Sequence, residues 1–267
     1  MIKTNYHTHH KLCRHAEGTT IDYVKHAIKE GFEELGMSDH VYNDHLPDPY
    51  RMLDSEVSQY INDVRAIQNK FSGKIKLHLG FECEYVEHDA SYYAAFLKEA
   101  DYLILGHHYI RNEYKSLTSS FGLTRPQEVL QYAKEVVEGM STGYFSMVAH
   151  PDLYMCSYKE FDEACAKAAH MIGQASIDHQ VPLEFNANGM RRGMKNTSLG
   201  KRYDYPREEF WHIVKTYNPT ILLSSDAHAP HLLTDPTMQE AEKVLKSWGL
   251  EKEDYLTFKQ NPFKFAL

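Results

Sequence analysis

Short apolar runs alternate along the chain with longer stretches in which apolar residues recur every three or four positions. Four stripes have the spacing of helix faces turned toward a core: Ile21, Val24, Ile28; Val57, Ile61, Val64, Phe71; Val129, Ala133, Val136, Met140; and Phe161, Cys165, Ala168, Ile172. Thr124, just before Pro126 and three residues before Gln127, reads as the cap of the third. Apolar runs near residues 2–6, 33–38, 75–82, 102–106, 144–149, 182–186 and 219–225 read as seven strands. Strands alternating with helices predict βα units around a parallel sheet. No Pro/Gly/Ser-rich linker, charge block or fixed-period repeat divides the chain, so residues 1–267 are expected to form a single α/β domain, at a length usual for a barrel.

The strands share a feature at their C-terminal ends. In order, these ends carry His7 and His9; Asp39 and His40; Glu82; His107; His150; Glu184 and Asn186; and Asp226 with His228. In a parallel barrel the C-terminal strand ends converge on one rim, so residues two hundred positions apart become neighbours. One histidine at a strand end is more often a satisfied core residue or a helix cap. A histidine or carboxylate suited to a metal at every strand end but the sixth points instead to a metal centre. His7-Thr8-His9 puts two imidazoles on one face of an extended strand, Asp226-Ala227-His228 repeats that spacing, and Glu82 offers a carboxylate able to bridge two ions. Imidazole and carboxylate without thiolate suit Zn, Mn or Fe.

Composition narrows the class further. Lys and Arg total 29 against 37 Asp and Glu, a net charge of -8, which argues against nucleic acid or a membrane surface as general partner. Cys13, Cys83, Cys156 and Cys165 form no CxxC pair and are expected to be reduced. No apolar run approaches a membrane span, so a cytoplasmic location is expected. The 17 histidines are the compositional outlier. Apart from His15 and those at the strand ends, ten remain, His10, His26, His45, His78, His88, His108, His170, His179, His212 and His231, and these are read as structural or exposed.

The motifs His7-Thr8-His9, His15, Ser38-Asp39-His40, Gly80-Phe81-Glu82, Gly106-His107, Ala149-His150-Pro151-Asp152-Leu153 and Ser225-Asp226-Ala227-His228, in that order, resemble those of the polymerase and histidinol phosphatase (PHP) family. Glu184-Phe185-Asn186, Asn188-Gly189-Met190-Arg191 and the chain length resemble its histidinol-phosphate phosphatase branch. The resemblance implies a distorted (βα)7 TIM-like barrel holding three divalent metal ions (Zn, Mn or Fe). His7, His9, Glu82 and Asp226 would form one site; Glu82, His107 and His150 a second; His15, His40 and His228 a third. His108 follows His107 directly, so either could occupy that position.

The implied activity is hydrolysis of L-histidinol phosphate in histidine biosynthesis, by metal-activated hydroxide attacking phosphorus in line. Glu82 and Asp226 would be catalytic through the metal centre, and Asp152 is a candidate acid for the leaving group, with Asp39 and His108 as alternatives. Arg191, Arg192, Lys195, Lys201 and Arg202 lie in a segment without acidic residues. Arg191 and Arg192 are expected to bind phosphate, the others being equally readable as a solvated basic loop. Glu17, with Glu113 and Asp152 behind it, is the candidate for the substrate ammonium, and Tyr42, Tyr109 and Tyr114 could line the pocket. Rival readings are a phosphodiesterase or nuclease with the same metals, a phosphatase of another small ester, an amidohydrolase and a catalytically silent module. The small-molecule phosphate ester is preferred, and the oligomeric state is left open.

Overall fold

The computed structural model describes residues 2–44, 46, 48–87, 89–111, 116–158 and 160–260. His45, His88, Glu113 and Tyr114 therefore lie outside the described residues. Seven strands, β1 (Thr4–Asn5), β2 (Glu34–Met37), β3 (Lys76–Cys83), β4 (Tyr102–Leu105), β5 (Met147–Val148), β6 (Leu183–Asn186) and β7 (Ile221–Ser224), pair in chain order and in parallel. Each falls within one residue of an expected run. Around them run α1 (Thr20–Lys29), α2 (Asp54–Lys70), α3 (Ala90–Glu99), α4 (Pro126–Ser141), α5 (Glu163–Asp178), α6 (Asn188–Arg191), α7 (Glu208–Val214) and α8 (Pro236–Ser247). The cap ahead of α4 is one residue later than expected: the Glu128 carboxylate accepts the backbone N–H groups of Thr124 and Arg125, so Gln127 is not the partner.

The sheet is a nearly closed barrel. At its C-terminal end Thr8 bridges Ala227, with His9 N–H donating to Ala227 O at 2.9 Å and Ala227 N–H to His7 O at 3.2 Å. At the other end the C-terminal segment fills the seam. Glu253 N–H donates to Ile221 O at 2.8 Å, the Thr4 hydroxyl donates to Asp254 O, and the Phe258 ring stacks on Tyr102 at 5.0 Å.

Alternation along the strands separates two cores. Leu77, Leu79, Phe81, Leu103, Leu105 and Val148 face the helices, whereas Tyr6, Tyr102, Ile104, Met147, Ala149 and Leu222 fill the lumen. Gly80 is required by this packing, because a Cβ there would lie 2.4 Å from the Tyr102 ring. With the lumen filled, the C-terminal rim is the end of the barrel at which polar side chains gather among the described residues.

Candidate metal centre

Glu82 stands on the lumen face of β3 and is the hub of the rim. Its Oε2 lies 3.0 Å from His7 Nε2, 3.3 Å from His9 Nε2 and 3.2 Å from His40 Nδ1, while Oε1 lies 3.2 Å from His150 Nε2 and 3.6 Å from His108 Nε2. Asp226 Oδ1 is 3.2 Å from His9 Nε2, 3.6 Å from His7 Nε2 and 3.4 Å from His228 Nδ1. His228 Nε2 and His15 Nε2 approach to 2.9 Å, completing a line of imidazoles out to the surface. His7 and His9 share a face, as their spacing required.

Two members of this group bend the backbone to reach it. His150 has φ 30° and Asp226 φ 48°, left-handed conformations that cost a residue with a Cβ on the order of 1 kcal/mol or more. At His150 the turn breaks the alternation of β5 and swings the imidazole inward beside Glu82.

His107 does not join the cluster. Alternation along β4 puts Tyr102 and Ile104 in the lumen, and continuing it puts His108 inward and His107 outward. His107 Nε2 meets Glu135 Oε2 at 2.8 Å on the helix side. His108, the alternative, is the residue that faces Glu82.

Supporting carboxylates and amides fix the ring orientations, the arrangement that tunes metal ligands. Glu184, on the strand that supplies no expected ligand, holds His7 Nδ1 at 2.8 Å and accepts His150 N–H at 2.9 Å. Glu84 holds His108 Nδ1 at 2.6 Å, and Asp39 lies between His10 Nδ1 at 2.7 Å and His9 Nδ1 at 3.4 Å. Asn186 and Asn188 donate to Asp226 Oδ2 at 3.2 and 3.1 Å, leaving Oδ1 for the centre. Glu84 had a readable signal, since it stands two residues beyond Glu82 and shares its face.

The donor set fits divalent cations. Among the described residues His9 Nε2, His40 Nδ1 and Asp226 Oδ1 are buried without a hydrogen-bond partner, a cost of about 1–3 kcal/mol each that an ion would relieve. Groups of His7, His9 and Glu82, of His9, His40 and His228, and of His40, Glu82 and His108 each converge closely enough to share an ion. Burial keeps the His40 imidazole well below its usual range and therefore neutral, the form that ligates. Burial opposes charge on Glu82 and Asp226. The imidazoles, His40 and His7 foremost at Glu82 and His7 and His228 at Asp226, outweigh it and hold both carboxyls well below the usual range.

A cavity of about 620 Å³ opens onto this floor, and Arg192, Phe121, Tyr205, Tyr109 and Arg51 help to line it. The Arg192 guanidinium lies 4.9 Å from the Phe121 ring and 5.9 Å from that of Tyr205, and it has no ion-pair partner among the described residues.

Four other expectations are corrected by the geometry. Arg191 is committed to structure: it donates to Asp235 at 2.9 and 3.1 Å, to Ser225 O and Oγ, and to Leu232 O. Glu17 is exposed and does not line the cavity, and its backbone N–H donates to His228 O at 2.8 Å. Asp152 is buried away from the cavity, where its carboxylate accepts Arg207 N–H at 2.6 Å. Asp39 is sealed behind His9. In the basic loop, now a hairpin of Met194–Thr197 with Gly200–Tyr203, Lys195 pairs with Asp204 and Arg202 with Glu209.

The sequence profile of the PHP domain matches residues 5–188, more than half of the chain. This chain belongs to the PHP family. A probable histidinol-phosphatase of Deinococcus radiodurans is 26% identical over 239 residues, spanning 84% of this chain and 85% of that protein. The histidinol-phosphatase of Bacillus subtilis is 23% identical over 262 residues, spanning 85% and 94%. Among solved structures, histidinol phosphate phosphatase of Lactococcus lactis, complexed with Zn, L-histidinol and phosphate, superposes with a TM-score of 0.71 at 19% identity over 97% of both chains. A protein of Listeria monocytogenes described as a putative histidinol phosphatase gives 0.72 at 17% identity, over 89% of this chain and 99% of that one. Both share the fold of this PHP chain.

Proposed function

We propose that this PHP chain is a metal-dependent phosphomonoesterase that hydrolyses L-histidinol phosphate to L-histidinol and phosphate. The observation that carries the reading is the convergence of imidazoles on both oxygens of Glu82 at the floor of a cavity that also holds an unpaired arginine. The histidinol-phosphatase relatives support the choice of ester.

His7, His9, His15, His40, Glu82, His108, His150, Asp226 and His228 would hold up to three divalent ions, with Zn supported by the Lactococcus lactis complex. When bound, such ions supply Lewis acidity to phosphoryl oxygens and make a water nucleophilic near neutral pH. The chain's own groups provide the rest. Glu82 presents one oxygen to each side of the cluster, and Asn186 and Asn188 hold Asp226 so that Oδ1 alone faces the reacting region. Arg192, braced by two aromatic rings, supplies a planar donor fork to a phosphoryl oxygen. The single domain assigned to residues 1–267 and a cytoplasmic location form part of the proposal. The latter is supported by four cysteines without disulfides, and no helix among the described residues is long and apolar enough to cross a membrane.

Phosphate release from L-histidinol phosphate, an aryl phosphate and a phosphodiester by ion-loaded protein tests the reading. Strong preference for L-histidinol phosphate, lost in Asp226→Ala, is expected. Preferential cleavage of the diester would overturn it in favour of the nuclease-type alternative.

A further inference from the structure

The cavity has a second charged wall that phosphate binding does not account for. Asp48 lines it, with Oδ2 3.3 Å from Arg51 Nε and accepting the Tyr109 hydroxyl at 3.2 Å. Behind the wall Arg51 Nη2 meets Glu84 Oε1 at 2.6 Å, so one buried guanidinium is shared by two carboxylates and Asp48 does not have it to itself. Arg192, at the C-terminal end of α6, contributes the opposite sign without a carboxylate partner among the described residues. Charges of both signs on the walls of one cavity orient a ligand that itself carries both.

Tyr50 adds a shape to the charge. Its backbone N–H donates to Asp48 Oδ1 at 2.9 Å, and its ring, 58% exposed, stands edge-on to His15 with centroids 5.4 Å apart. A large exposed aromatic beside a carboxylate at a cavity mouth suits a flat ring carried by a cation.

We propose that Asp48 and Tyr50 form the subsite for the alcohol part of the substrate, selecting phosphate esters whose alcohol bears an ammonium group and a planar ring. The proposal rests on the phosphomonoesterase reading for the phosphate end, and product inhibition of the ion-loaded enzyme separates the two. Asp48→Asn removes the charge while retaining an acceptor for Tyr50 N–H. The inhibition constant of L-histidinol is expected to rise at least tenfold, and that of inorganic phosphate to move less than twofold. Tyr50→Ala is expected to weaken L-histidinol severalfold, with Tyr50→Phe restoring it. Equal weakening of both products in Asp48→Asn, or an unchanged constant for L-histidinol, would overturn the assignment. If the parent enzyme turns over no ester, the functional reading fails, and calorimetric binding of L-histidinol to parent and Asp48→Asn protein decides the subsite by the same criterion.

Discussion

Gly106 lies against the Glu82 carboxylate so closely that a Cβ on it would fall 2.0 Å from Oε1. Glu82 is buried and touched by five imidazoles, so its carboxylate has nowhere to retreat without leaving the cluster. Gly106→Ala is therefore expected to lose at least one bound ion per chain after dialysis, with the far-UV circular dichroism unchanged. Parent-like metal content in the variant would show that the carboxylate position is not critical.

His107 and His108 separate two kinds of contribution. Removing the His108 ring should cost metal, because it faces Glu82 Oε1. Removing that of His107 should cost stability, because it leaves the Glu135 carboxylate, about nine-tenths buried, without its imidazole partner. About 1–3 kcal/mol is expected for His107→Ala in urea unfolding, with metal stoichiometry retained. The reverse pattern would restore His107 as the ligand.

Arg191 and Arg192 are adjacent and should behave differently. Arg192→Ala is expected to raise KM for the phosphate ester about 10–100-fold, the range of one charge-assisted hydrogen bond. Arg191→Ala breaks a largely buried pair with Asp235, and about 3 kcal/mol of stability should be lost. Steady-state kinetics and thermal unfolding of both variants make the comparison. A raised KM with no loss of stability in Arg191→Ala would contradict the structural assignment.

Asp152 gives a pH signature. Burial raises its carboxyl to about 6, outweighing the Arg207 backbone N–H that favours the charged form. The unfolded group titrates near about 4, so between pH 4 and 6 the folded state holds a proton that the unfolded state has released. Stability contributed by this residue therefore falls as pH rises through that window, by about 3 kcal/mol in all. Asp152→Asn cannot ionise, and its stability relative to the parent should climb from pH 4 to 6 and then level off. A stability difference independent of pH would show that Asp152 stays charged.

Much of the barrel was legible in the chain because its signals are local. Period-two and period-3.6 patterns mark which residues leave water, and every expected run contains a strand, although the run at 144–149 forms one only at Met147–Val148. The rim was legible for a related reason: a parallel barrel gathers its C-terminal strand ends, so His7, His9, Glu82 and Asp226 had to come near one another once the topology was known, whereas His150 reaches Glu82 through a left-handed turn that breaks the alternation of its strand. His108 was also within reach, since alternation along β4 from Tyr102 points to it.

What the sequence left open depends on partners distant in the chain. Arg191 and Arg192 are chemically identical in sequence, and only the arrival of Asp235, Ser225 and Leu232 turns the first into a brace and leaves the second facing the cavity. Glu17 is two residues from His15, yet the turn places it outside, while Asp48 reaches the cavity from a loop with no motif to announce it. Hydrophobic periodicity specifies which face is buried. The use of a polar side chain is set by which donors and acceptors meet it after folding, and that is a property of the tertiary structure alone.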